Sequence, residues 1–110
     1  MSDVRVYPSQ LSGRLTAPPS KSAAHRALIC AALAQADSVV SPISDSTDME
    51  ATLAVLHAMG QSFEQNGQTV RLIGSQWSAH PVTLNCRESG STLRFILPIA
   101  AALGLTAVFR

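Results

Sequence analysis

The sequence predicts an α+β fold built on a mixed sheet, and three observations carry that prediction. Strand-like and helix-like stretches alternate along most of the 110 residues. Some strand-like stretches follow one another with no helix between them, which favours an α+β layer over a doubly wound sheet. No Gly-rich turn of the dinucleotide-binding kind links a strand to a helix. The expected order is β, then β-α-β-α-β-β-β-α-β.

Each element has a local reason. Val4–Tyr7 and Gly13–Ala17 have strand composition, and Pro18-Pro19 ends the second of them. Ser20 is the expected N-cap of a first helix running to about Ala34, whose later turns are apolar all round and so predict burial on more than one side. Ser38–Ser41 reads as a short strand ended by Pro42. Thr47 and Glu50 have the spacing of a capping box, and the helix they open repeats Met49, Leu53, Leu56 and Met59 on one face before Gly60 closes it. Gln61–Glu64 and Thr69–Ile73 form a hairpin across Gln65-Asn66-Gly67-Gln68, and Val82–Cys86 a further strand. A third helix starts near Ser89 or Ser91 and ends before Gly104, with a kink expected at Pro98, and Leu105–Phe109 forms the last strand.

Composition narrows the function. Hydrophobic residues make up 46% and charged residues only 14%, so a core is available but part of the surface is expected to be covered by a partner or by more of the same chain. A net charge of +1 argues against general binding to nucleic acid or membrane surfaces. Pro98 and Gly104 interrupt the longest apolar run, which excludes a membrane helix there. With no signal peptide, Cys30 and Cys86 are expected to be reduced and buried, in a cytoplasmic protein. Metal-ligand spacing and a Ser/His/Asp pattern are both missing.

Between Val4 and Ala36 there is no Asp or Glu, yet Lys21, His25 and Arg26 fall at the start of the first helix. A helix N-terminus already carries partial positive charge, so cations are unfavourable there unless an anion joins them. Ser22 and Arg26 share a helix face, and Lys21 and Ser22 can converge with free backbone N–H groups. A solvated basic end, or pairing with a carboxylate such as Asp45 or Asp48, accounts for these residue types equally well. His25 reads as a satisfied structural histidine. A second such start is Arg87-Glu88-Ser89-Gly90-Ser91-Thr92-Leu93-Arg94, where Gly90 permits close backbone approach and the hydroxyls lie at a helix N-terminus. Alone, this stretch is explained better as a Ser/Gly-rich cap with Arg94 paired to Glu88. Asp45, Asp48 and Glu50 read as loop and capping residues.

At these residues the chain resembles the enolpyruvyl transferase family. Leu15-Thr16-Ala17-Pro18-Pro19-Ser20-Lys21-Ser22 with His25-Arg26-Ala27-Leu28, then Asp45-Ser46-Thr47-Asp48, Met59-Gly60 and Ser89-Gly90-Ser91-Thr92-Leu93-Arg94 are similar to the family's motifs as a set. The resemblance is to the branch that transfers the enolpyruvyl group of phosphoenolpyruvate to the 5-hydroxyl of shikimate 3-phosphate, in aromatic amino acid synthesis. The branch acting on UDP-N-acetylglucosamine has Lys-Asn where this chain has Lys21-Ser22 and ranks second. The resemblance implies that Lys21, Ser22 and Arg26 bind shikimate 3-phosphate, that Lys21 and Gly90 contact phosphoenolpyruvate, and that Ser91 and Arg94 support that loop. It implies no metal and no organic cofactor. Pro18-Pro19 replaces the frequent Pro-Gly, and Glu88 stands where many members have Asn.

The family fold implied is two lobes of βαβαββ units around a cleft, with residues 1–18 crossing from one lobe and 19–110 forming part of the other. The family's further phosphoenolpyruvate arginine and its acid/base residues fall beyond Arg110. The sequence therefore reads as an N-terminal fragment that holds no catalytic residue. A stand-alone phosphate-binding or interaction domain is the alternative.

Overall fold

The computed structural model describes residues 2–110. Three helices, α1 (Lys21–Ala34), α2 (Thr47–Met59) and α3 (Gly90–Ala102), alternate with β1 (Ser38–Val40), β2 (Gln61–Asn66), β3 (Thr69–Ser75), β4 (Val82–Leu84) and β5 (Ala107–Phe109). The fold is α+β, with its antiparallel and parallel pairings in separate small sheets. One sheet has the order β1-β3-β2 and is antiparallel throughout; the other is the parallel pair β4-β5. The β4-α3-β5 crossover holds the parallel pair in register, Val82 opposite Ala107 and Leu84 opposite Phe109.

The core lies between these sheets and the helices, and α2 is its centre. It packs on α1, α3, β2 and β4. It buries Met49, Ala51, Thr52, Leu53, Val55, Leu56 and Met59, well beyond the one face that the sequence pattern marks. Helix α1 has the opposite outcome to its expectation. It buries only Ala24, His25, Leu28, Ile29 and Ala32, and leaves Cys30 and Leu33 exposed. Periodicity reports how apolar a helix is, whereas tertiary position decides which faces find cover.

Two further expectations are corrected. Val4–Tyr7 and Gly13–Ala17 are not strands: residues 2–20 lie outside every helix and strand, and Val4, Val6, Tyr7, Leu11 and Leu15 are exposed. A strand exists only through its partner's hydrogen bonds, and residues 2–20 pair with none of the described strands. The N-cap of α2 is Ser46 rather than Thr47; its Oγ accepts from the Met49 N–H at 3.3 Å. Ser20 and Ser89 cap α1 and α3, Oγ accepting from Ala23 and Thr92 N–H at 3.2 Å each. Of the two cysteines expected to be buried, Cys86 is and Cys30 is not, because it lies on the uncovered side of α1; both are free.

Candidate functional site

The three helix N-termini meet at one end of the molecule. Lys21, the first residue of α1, donates from Nζ to Asp48 Oδ2 at 2.9 Å, across 27 residues of sequence. Asp48 lies in the first turn of α2, where the helix dipole favours a carboxylate. With Thr47, Arg87, Glu88 and Ser89 it lines a cleft of about 220 Å³. Ser89 caps α3, so Gly90 and Ser91 open that helix beside the cleft.

Behind the cleft runs a buried chain of polar groups. Thr52 Oγ1 lies 2.7 Å from His25 Nδ1 and 2.9 Å from Thr92 Oγ1, which is in turn 2.7 Å from Ser89 Oγ. His25, Thr52, Thr92 and Ser89 are all buried. His25 thus is a satisfied structural histidine, with the Phe95 ring edge-on at 6.2 Å between centroids. The chain ties α1, α2 and the start of α3 together at the end where Lys21, Asp48 and Gly90 gather.

Electrostatics follow from this geometry. Asp48 is held below the ordinary carboxylate value, first by the Lys21 hydrogen bond and then by the Ser89 hydroxyl. Burial pushes His25 below 6.5, with Asp48 opposing that shift and Lys21 adding to it. A histidine whose folded value is lowered binds its proton more readily in the unfolded chain. Stability is therefore full above pH 6.5 and declines as pH falls from there to the folded value. Urea unfolding at pH 7.5 and 5.5 is expected to give the lower midpoint at 5.5, with the difference reduced in His25→Gln; equal differences would remove His25 as the cause.

The remaining residues singled out in the sequence are placed less centrally. Ser22 and Arg26 are exposed on α1, and Arg26 borders an apolar groove of about 190 Å³ with Ile29, Cys30, Phe95 and Ile99. Arg94 is exposed on α3 and forms no ion pair with Glu88; the arginine that pairs nearby is Arg87, with Glu50 at 3.2 Å. Asp48 and Glu50 are thus members of ion pairs between elements, beyond the capping roles their positions suggested. Thr52 escaped notice in the sequence. Its only signal is a hydroxyl set between the apolar residues Ala51 and Leu53 of α2.

Fold and cleft define a class: an α+β scaffold in which the start of α2 and the Ser89 cap of α3 line one cleft, and Lys21 at the start of α1 pairs with the Asp48 carboxylate in its wall. The model of the family described as EPSP synthase (3-phosphoshikimate 1-carboxyvinyltransferase) matches residues 6–110, and the chain belongs to that family. Relatives named 3-phosphoshikimate 1-carboxyvinyltransferase include those of Clostridioides difficile (strain 630), 38% identical over 93% of this chain and 26% of the relative, and Clostridium kluyveri, 39% identical over 99% and 26%. That of Clostridium beijerinckii is 41% identical over 92% and 25%. The chain spans about a quarter of the length of these relatives.

Proposed function

We propose that this chain supplies part of the substrate-binding lobe of an enzyme that transfers the enolpyruvyl group of phosphoenolpyruvate to the 5-hydroxyl of shikimate 3-phosphate, releasing phosphate. Lys21, Ser22 and Arg26 bind shikimate 3-phosphate, Lys21 and Gly90 contact phosphoenolpyruvate, and Ser91 and Arg94 support the loop. Residues 1–18 cross from the other lobe. The run α1-β1-α2-β2-β3 supplies a βαβαββ unit except for its first strand. The observation that carries this reading is that Lys21 pairs with Asp48 in the wall of a cleft also lined by Ser89, the cap of the helix that Gly90 opens. Gly90 adds to it: a Cβ there would meet nothing within 4 Å, so packing within the chain does not require glycine at that position. Close approach of a ligand to the backbone does.

Binding and chemistry separate in this chain. Charge-assisted hydrogen bonds to phosphate and carboxylate oxygens hold the substrates, each worth roughly 1.5–3 kcal/mol. The proton transfers need general acid/base groups, which contribute typically ~10²–10⁴ in rate. By the family resemblance these belong to the other lobe. Titration of the 110-residue chain with shikimate 3-phosphate is expected to shift the amides of Lys21, Ser22 and Gly90 in NMR spectra, with no phosphate release when phosphoenolpyruvate is added. Amides that stay in place at millimolar ligand would overturn the binding assignment, and phosphate release would overturn the division of labour.

A further inference from the structure

We propose that His25, Thr52 and Thr92 are positioning residues: with Ser89 they form a hydrogen-bond relay of one fixed direction that sets the start of α3 against the start of α1. The proposal deepens the anion-binding reading and rests on it for its functional meaning. The relay itself stands on the geometry.

The direction follows from proton counting. Asp48 shares the cleft wall with Ser89 and, when ionised, can only accept. The Ser89 hydroxyl, already accepting the Thr92 N–H through its oxygen, has one proton to give, and the proposed relay assigns it to Asp48, the carboxylate lining the same cleft. The 2.7 Å contact between Ser89 and Thr92 then requires Thr92 to donate to Ser89. The 2.9 Å contact requires Thr52 to donate to Thr92, and the 2.7 Å contact leaves Thr52 Oγ1 to accept from His25 Nδ1–H. Each hydroxyl donates once and accepts from the group behind it. His25 is thereby fixed in the Nδ1–H tautomer, and the carboxylate held by Lys21 sets the polarity of the whole chain. Because Ser89 caps α3, the relay fixes the Ser89–Ser91 amides relative to Lys21.

Long-range proton–nitrogen NMR of the parent chain at pH 7.5 tests the direction. His25 is expected as Nδ1–H, and Nε2–H would overturn the relay. Thr52→Val tests positioning, since Thr52 lies on α2 and is outside the proposed set of ligand contacts. It is expected to displace the Ser89, Gly90 and Ser91 amide resonances while the fold persists, and Thr52→Ser is expected to restore them. It should also weaken binding of inorganic phosphate by roughly five- to tenfold, the scale of one buried hydrogen bond. Unmoved amides in Thr52→Val, or failure of Thr52→Ser to restore them, would overturn the positioning role. If the parent chain binds no phosphate, the anion reading fails, while the tautomer and the amides still decide the relay.

Discussion

Gly60→Ala is expected to destabilise the fold by about 3–5 kcal/mol, lowering the melting temperature by roughly 10–20 °C. Gly60 closes α2 with φ at 124°, a conformation that L side chains rarely adopt. Its N–H donates to the carbonyls of His57 and Leu56, and its own carbonyl accepts from Gln76 N–H at 3.0 Å. One residue earlier, the Met59 carbonyl accepts from Ser78 N–H at 2.9 Å. The segment after β3 is therefore laced to the end of the central helix. A Cβ at Gly60 would lie 1.9 Å from the Gln76 carbonyl oxygen and 2.8 Å from its carbon. Both are backbone, so no side-chain rotation relieves the clash. The segment must lift away, losing its hydrogen bonds and carrying Trp77 off the core it packs against. Gly90→Ala is the control, because a Cβ there meets open space. Thermal melts of the two variants check the contrast. A melting point for Gly60→Ala within a few degrees of the parent would mean that the 76–78 segment yields without cost.

Local signals explain what the sequence revealed about this fold. Ser20, Ser89 and Gly60 act within one helical turn of themselves, and all three helices lie where those residues predict them. The one displaced cap, from Thr47 to Ser46, is a choice between adjacent hydroxyls that composition cannot make. Strands depend on distant partners. Val4–Tyr7 has the composition of a strand but pairs with no strand among the described residues. β1, only three residues long, forms because β3 lies beside it.

The candidate site divides in the same way. Lys21, Ser22, Arg26 and Gly90 were legible as basic or hydroxyl-rich helix starts. Of what joins them, the sequence offered only pairing with Asp45 or Asp48, and the structure selects Asp48. Lys21 meets Asp48 across 27 residues, and Thr52 meets Thr92 across 40. No window of sequence contains either pair. The acid-free opening of the chain also turns out to have its carboxylate, delivered by α2. That leaves two meanings for the Lys21–Asp48 pair, a structural tie or an anion site with its counter-charge in place.

Opposite responses of shikimate 3-phosphate affinity to Lys21→Met and Asp48→Asn are expected to separate these meanings. The two side chains are 55% and 32% exposed, so solvent screens the pair and as a structural tie it contributes little. On that account both variants lose a little stability and neither changes anion binding. As part of an anion site, Lys21 contributes a charge-assisted bond that Met lacks, and affinity should fall roughly 10–100-fold. Asp48 meanwhile repels the incoming phosphate and competes for Nζ. Asn keeps its shape without the charge, so affinity should rise roughly three- to tenfold, the scale of one charge a few ångströms away at a solvated surface. Mild acid does not reproduce that gain. Lys21 and Ser89 hold the folded Asp48 value below the ordinary 3.8, so its contribution to stability is present above pH 3.8 and is lost only as pH falls through the lower folded value. Calorimetric titration of both variants at pH 7 checks the signs. Affinities that move together, or stay fixed, would make Lys21–Asp48 a tie between α1 and α2 and take Lys21 out of the anion site.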